Sequence, residues 1–424
     1  MHIADLSALE ILDSRGRPTL QVTAALANGV RASAQVPSGA STGRHEAVEL
    51  RDTDVARYEG KGVQRAARHV SGEILKALRG HSAQDQAGVD AAMIALDGTP
   101  DKSRLGANAL LGVSCAVARA AALARGLPLW QYLAGGRKPV FPVPMVNIFS
   151  GGLHAGGNIE FQDFLAIPHG FPSYSGALEA VVRLHAVARD IITQHGFVLT
   201  GVADEGGWGP ALRSNEEALA LLTEAIQKAG YVPGSQISIA IDVASTHFFR
   251  GGMYHLRTEN RSLDAAGMRD QLAALCHRYP VVSIEDGLNE DDWDGWALLQ
   301  ARLGDRVQLV GDDFFTTNPD RLRRGIREKA ANAVLVKMNQ IGTLTETFSV
   351  IDLARNAGWK AVVSARSGET EDGFLADLAV ASGAGQIKIG SITRSERLAK
   401  YNRLLEIEAD SGLAYPGAAA IFGS

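Results

Sequence analysis

Short apolar runs recur along the chain from about residue 237 onward: Ile237 to Asp242, Val281 to Glu285, Val307 to Asp312, Ala333 to Lys337, Lys360 to Ser364 and Gln386 to Ile389. Continuous apolar runs of this length suit strands buried on both faces. Longer amphipathic stretches separate them, among them Pro319 to Lys329 and Thr343 to Asn356. The first of these is preceded by Asn318, an N-cap residue with proline at the first helical position. Strand followed by helix, repeated over residues 135–424, predicts a closed parallel βα barrel. An open doubly wound sheet would carry G-x-G-x-x-G after its first strand, and none is so placed.

The first third of the chain has a different rhythm. Leu20 to Leu26 and Val30 to Val36 are strand-like runs joined around Asn28-Gly29, a hairpin signal because both residues tolerate positive φ. Pro37 to Gly43 is a run of small and turn-forming residues, expected to be a mobile loop. Helical patterning then runs from about Gly62 to Leu133. The expected organisation is α/β overall: an α+β unit over residues 1–134, with loop 37–43 as a lid, then a barrel over residues 135–424. Gly135 to Pro139 marks the boundary.

Composition narrows the function classes. Hydrophobic residues make up 46% and charged residues 21%, so a sizeable core forms. The net charge of −5 offers no basic excess for a nucleic-acid partner. Two cysteines, Cys115 and Cys276, support neither a disulfide framework nor a cysteine-built metal site. Cys115 lies in an apolar run and reads as a buried thiol. No basic region leads into an apolar stretch at the N-terminus, so no signal peptide is read. Ala107 to Ala122, interrupted by Asn108, Ser114 and Arg119, suits a buried helix rather than a membrane span. A cytoplasmic protein with no membrane partner is the simplest expectation.

The chemistry gathers at the strand ends. The runs end in, carry or lead into Asp242, Glu285, Asp312, Lys337, Arg366 and Lys388. Apart from the first interval, consecutive members are about one βα repeat apart. Strand C-termini of a parallel barrel converge on one mouth, so three carboxylates would meet two lysines and an arginine there. Convergent carboxylates repel unless a cation lies between them, and an oxygen-only set suits Mg²⁺ or Mn²⁺. One lysine, desolvated beside other cations, would have a lowered pKa and act as a base; the other would hold an anionic group. Arg366 with Ser367 suits a phosphate. Two further segments carry candidate chemistry: the glycine-rich Gly151 to Asn158, with His154, and Asp204-Glu205-Gly206-Gly207. For each of these, a packed histidine or a plain turn is the competing reading.

Together these motifs resemble the enolase family over nearly the whole chain. The matching segments are Asp13-Ser14-Arg15-Gly16, Pro37 to Gly43, Pro142 to Asn147, Asp204 to Gly207, Ser283 to Asp286, Gly311-Asp312-Asp313, Lys337 to Gly342, Arg366 to Asp372 and Arg397 to Asn402. The resemblance implies a capping α+β domain followed by an enolase-type, TIM-like βα barrel. It implies a Mg²⁺-dependent lyase, with two ions expected, acting on a small phosphorylated or phosphonylated carboxylate. A homodimer or higher homo-oligomer is expected. By the same resemblance Asp242, Glu285 and Asp312 bind the first Mg²⁺, and Ser41 helps bind the second. Lys337 removes the C2 proton, and Glu205 is the acid at C3. Lys388 holds the substrate carboxylate, Arg366 and Ser367 hold the phosphate, and Gln162 and Ser41 also contact substrate. His154 belongs to a second closing loop, and Asp163 is an acid near the leaving hydroxyl.

The departures from the family pattern concern substrate. Ser-His-Arg-Ser-Gly is here Ser364-Ala365-Arg366-Ser367-Gly368, and no histidine follows His277. Phe-Gln-Glu-Phe is here Phe161-Gln162-Asp163-Phe164, one methylene shorter at the acid. Ser150 stands for Asn before Gly-Gly, Gly156-Gly157 lie in the histidine loop, and Ile389 stands for Thr after Lys388. Three readings follow. The leading expectation is enolase chemistry on a modified substrate, such as a carboxyphosphono analogue of phosphoenolpyruvate in phosphonate or phosphinate biosynthesis, with weak turnover of 2-phospho-D-glycerate. The second is an ordinary glycolytic enolase converting 2-phospho-D-glycerate to phosphoenolpyruvate. The third is a binding protein that keeps only the fold.

Overall fold

The computed structural model describes residues 1–39 and 43–423. Its N-terminal sheet has three antiparallel strands, β1 (Ile3–Leu12), β2 (Pro18–Leu26) and β3 (Arg31–Gln35), in the order β1-β2-β3. The hairpin at Asn28-Gly29 forms as expected, with Gly29 at a φ of +88°. β1 is an addition: most of its side chains are at least partly exposed, so its apolar pattern is weak. The inner face of the sheet, including Leu20, Val22 and Ala24, packs on the helix Ala107–Ala124. Close approach depends on Gly112, where a Cβ would lie 2.5 Å from Val22 Cγ2. That helix is long and apolar enough to cross a membrane by composition, but 83% of it is buried within the protein.

Strands β4 (Val143–Ser150), β5 (Asp163–Ile167) and β6 (Ser238–Asp242) open the second architecture. A small antiparallel sheet follows: β7 (Phe249–Arg250), β8 (Met253–Leu256) and β9 (Arg261–Leu263). Then come β10 (Val281–Glu285), β11 (Gln308–Gly311), β12 (Ala333–Val336), β13 (Lys360–Ser364) and β14 (Gln386–Gly390). The six apolar runs read from the sequence all form strands. Asn318 caps the helix Pro319–Glu328 by accepting from the amides of Asp320 and Arg321. Thr343 caps Leu344–Asn356 in the same way.

The barrel closes in the order β4-β5-β6-β10-β11-β12-β13-β14. It is not wholly parallel, which corrects the sequence expectation: β5 runs antiparallel to both β4 and β6. The cause is the connection. A parallel partner needs a crossover, normally a helix, whereas β4 and β5 are joined by a short loop with one turn of 3₁₀ helix. The reversal sends the first residue of β5 to the mouth, so Asp163 pairs directly with Asp242, the last residue of β6. Inside the barrel, Val143, Met145, Leu165, Ile167, Val310, Leu335 and Val362 form a separate apolar cluster, sealed by Ile421 of the C-terminal turn.

Loops of the N-terminal segment rest on this mouth. Ser38 and Gly368 exchange backbone hydrogen bonds of 2.8 and 3.0 Å, and the Ser14 amide donates to Glu369 O at 2.8 Å.

Candidate active site

Five of the six residues read from the strand ends, Asp242, Asp312, Lys337, Arg366 and Lys388, line one cavity at the mouth, with His154, Gln162, Glu205, Ala365 and Ser367. Glu285, the sixth, touches Lys388. Lys388 projects from the middle of β14 and the other five sit where a short buried strand hands over to a loop, so their directions are fixed by strands that pack on both faces. The Ser41 assignment lies outside the described residues.

The charges are paired internally. Lys388 Nζ lies 2.7 Å from both Asp242 Oδ2 and Glu285 Oε2. Lys337 Nζ donates to Asp312 Oδ2. Arg366 pairs with Glu46 at 3.0 Å and donates to Asn339 Oδ1 at 3.0 Å. The expectation of a lowered lysine pKa is corrected here. Burial, the largest single effect, pulls the Lys337 ammonium down, but Asp312 and Glu285 together outweigh it and hold the group above its ordinary value. Lys388 is held well above its ordinary value, because Asp242 and Glu285 outweigh burial. Glu285 is pushed well above the carboxylate range by burial and by Asp242. Asp312 stays below that range, because Lys337 overcomes burial.

The three metal-ligand candidates fit a hard cation in kind, all offering carboxylate oxygens. Glu285 Oε1 is buried and has no hydrogen-bond partner, an acceptor still to be satisfied. The two lysine ammonium groups lie on the oxygens a cation would take. Among the described residues, the groups with ligating atoms all within 4.8 Å are instead Asp286–Asp312–Asp313 and His154–Asp163–Glu205. Asp286 accepts from the amides of Asp312 and Asp313 at 2.9 and 2.8 Å and so orients the Asp312 turn.

Across the mouth, Asp163 is fully buried and saturated. Its Oδ1 accepts from Asn147 Nδ2 and, at 3.0 Å, from Ser150 Oγ; its Oδ2 is 3.0 Å from His154 Nδ1. Ser150 and Asp163 are also direct cross-strand partners. Two departures from the family pattern are therefore one feature, a shortened acid met by a shortened neighbour. His154 Nε2 lies 3.7 Å from Glu205 Oε1. Burial opposes charge on His154, but Asp163 and Glu205 lift its pKa to about 9, so the ring is protonated at neutral pH. Glu205 is held low despite burial, chiefly by His154 and Arg397. The histidine loop turns on Gly156, left-handed at a φ of +67° at the end of its 3₁₀ turn.

Several site residues carried no assignment in the sequence reading. Arg15 donates to Ser367 Oγ at 3.3 Å and to Ser38 O and Gly39 O at 3.1 Å, tying the Asp13-Ser14-Arg15-Gly16 segment to the mouth. Glu46 follows the small-residue loop, and its only signal was that position. Ala365 opens no enlarged pocket, since the cavity it lines holds only about 30 Å³.

Residues 3–133 match the family model described as Enolase, N-terminal domain, and residues 138–421 match Enolase, C-terminal TIM barrel domain. A protein named enolase from Rubrobacter xylanophilus is 55% identical over 421 residues, covering 99% of this chain and 98% of that protein. This likeness favours the ordinary reaction over the modified-substrate reading, and nothing in it supports a phosphonate or phosphinate substrate.

Proposed function

The chain belongs to the enolase family and is a lyase of that family, and from this premise we propose that it interconverts 2-phospho-D-glycerate and phosphoenolpyruvate with Mg²⁺. The observation that carries this reading is the opposition of Lys337 to the Asp163–His154–Glu205 chain around one cavity that also presents Lys388 and Arg366. An anti elimination needs a base on one side of the carbon chain and an acid on the other.

In this reading residues 1–134 cap a barrel of residues 135–424, and loop 37–43 is the lid. Asp242, Glu285 and Asp312 hold the first Mg²⁺, and Ser41 contributes to a second. When bound, the metal supplies positive charge for the substrate carboxylate as the C2 proton leaves. Lys337 must give up Asp312 to act as base. That release removes the contact that holds its pKa high, so burial then dominates and the amine becomes able to take a proton. Lys388, released from Asp242 and Glu285, turns its ammonium to the substrate carboxylate. Arg366 exchanges Glu46 for the phosphate, with Ser367 beside it. Gln162, 3.2 Å from Asp242 Oδ2 through its amide nitrogen, borders the carboxylate end. On the other side, His154 carries a proton on Nε2 toward Glu205, which needs that proton to assist departure of the C3 hydroxide. Asp163 holds the ring in register through Nδ1.

The test separates base from acid. Lys337→Ala should abolish exchange of the C2 proton of 2-phospho-D-glycerate with solvent deuterium. Glu205→Gln should keep exchange while blocking formation of phosphoenolpyruvate, because proton removal precedes loss of the C3 group. Normal exchange in Lys337→Ala would refute the assignment of the base.

A further inference from the structure

The turn that follows β6 offers hydrogen-bonding capacity that no described residue uses. Ala244 adopts a left-handed φ of +45°, uncommon for a residue with a Cβ, and opens a 3₁₀ turn over Ser245–Phe248. Among the described residues, Ser245 Oγ and His247 Nδ1 in this turn are buried without a hydrogen-bond partner. An unsatisfied buried polar atom is costly, so its persistence calls for an explanation. His247 lines the same cavity as Ala365 and Arg366. β6 and β13 are four places apart in an eight-stranded ring, so their ends lie on opposite sides of the mouth. Ala365 and His247 thus border one small cavity, of about 30 Å³, from opposite sides. His247 lines a second cavity too, of about 360 Å³, with Leu153, Phe248 and Arg250. His247 thus borders both cavities.

We infer that His247 is a substrate-contacting residue, supplying from the β6 side the imidazole hydrogen bond that position 365 does not provide. The inference rests on the enolase reading above and deepens it. Burial keeps the ring neutral in spite of Asp242, so it presents one donor and one acceptor nitrogen rather than a second cation. Its ligand is the phosphate or hydroxyl end of the substrate, the end that Ala365 and Arg366 border.

The experiment compares the natural protein with His247→Ala, His247→Gln and the double variant His247→Ala with Ala365→His. Turnover of 2-phospho-D-glycerate, calorimetric Mg²⁺ affinity and thermal midpoint are measured for each. Loss of a hydrogen-bonding group in such a site lowers kcat on the order of 10²-fold. That loss is expected in His247→Ala with Mg²⁺ affinity and midpoint unchanged. Partial activity is expected in His247→Gln, and recovery to within about tenfold of the natural protein when histidine is restored at 365. Natural kcat and KM in His247→Ala would overturn the inference. So would a loss matched by a fall in midpoint and in Mg²⁺ affinity, which is what a merely structural role gives. If the natural protein fails to turn over 2-phospho-D-glycerate, the enolase reading fails separately. His247 is then judged by calorimetric binding of phosphoenolpyruvate with Mg²⁺: at least tenfold weaker binding in His247→Ala sustains it, and equal or absent binding in both proteins overturns it.

Discussion

Replacing Lys388 by Met removes the ammonium that bridges Asp242 and Glu285 while keeping most of the side-chain volume. Both contacts are 2.7 Å, and all three side chains are buried. Breaking a buried pair by removing one partner costs about 3–5 kcal/mol. Glu285 is already lifted well above the carboxylate range, so it takes a proton in the variant and the cost falls at the lower end. With an unfolding entropy of about 2.1 cal/mol/K per residue, a 424-residue chain loses about 3 °C in midpoint without metal. Mg²⁺ should act in the opposite sense. A dication and an ammonium at roughly 5 Å, with an effective dielectric constant of about 20, repel by about 7 kcal/mol. The natural lysine avoids most of this by swinging away. A residual of about 1.4 kcal/mol still tightens Mg²⁺ binding about tenfold in the variant. Calorimetric titration reads the affinity, thermal scans with and without Mg²⁺ read the midpoint, and turnover should be lost because the substrate carboxylate loses its partner. A folded Lys388→Met protein with unchanged or weaker Mg²⁺ affinity would refute the idea that the lysine and the metal compete for these oxygens.

Asp163→Glu adds a methylene to a fully packed site and should cost about 1–3 kcal/mol while lowering turnover of 2-phospho-D-glycerate. A variant faster than the natural protein would restore the modified-substrate reading. His185 is buried against Trp208, and burial pushes its pKa down to about 4. The unfolded chain takes up this proton below about 6.5 and the folded one does not, so stability is fully present above that pH. It is lost as pH falls toward 4, by up to roughly 3 kcal/mol. His185→Gln should flatten that part of the acid-denaturation profile, and an unchanged profile would remove His185 as its cause.

The sequence pattern carried the strands well where burial on both faces made them continuous, as in Val281 to Glu285 and Lys360 to Ser364. It missed β1, whose residues are half exposed and do not alternate cleanly. The reversed direction of β5 was also missed, because an apolar run has no polarity. The missing helix between Ser150 and Asp163 was the available signal. The charged strand ends were legible as a set because chain order and a closed barrel force them together. Their present pairing was not: whether Lys337 meets cations or Asp312 depends on side-chain geometry at the mouth. Glu46 and His247 stand in turns and follow no periodicity, so only the tertiary structure brings Glu46 to Arg366 and His247 to the cavity. Asp163 was read only as an acid one methylene shorter than the family's near the leaving hydroxyl, whereas its fit to Ser150 depends on strand register.

The central claim is that this mouth performs the ordinary reaction. Steady-state formation of phosphoenolpyruvate from 2-phospho-D-glycerate, followed by its ultraviolet absorbance with Mg²⁺ and after its removal by chelation, tests it most directly. The account predicts saturable turnover in the usual enzymatic range, about 1–10³ s⁻¹, abolished by chelation and recovered on adding Mg²⁺ back. Folded, Mg²⁺-loaded protein that forms no phosphoenolpyruvate, or forms it equally well without metal, would contradict it.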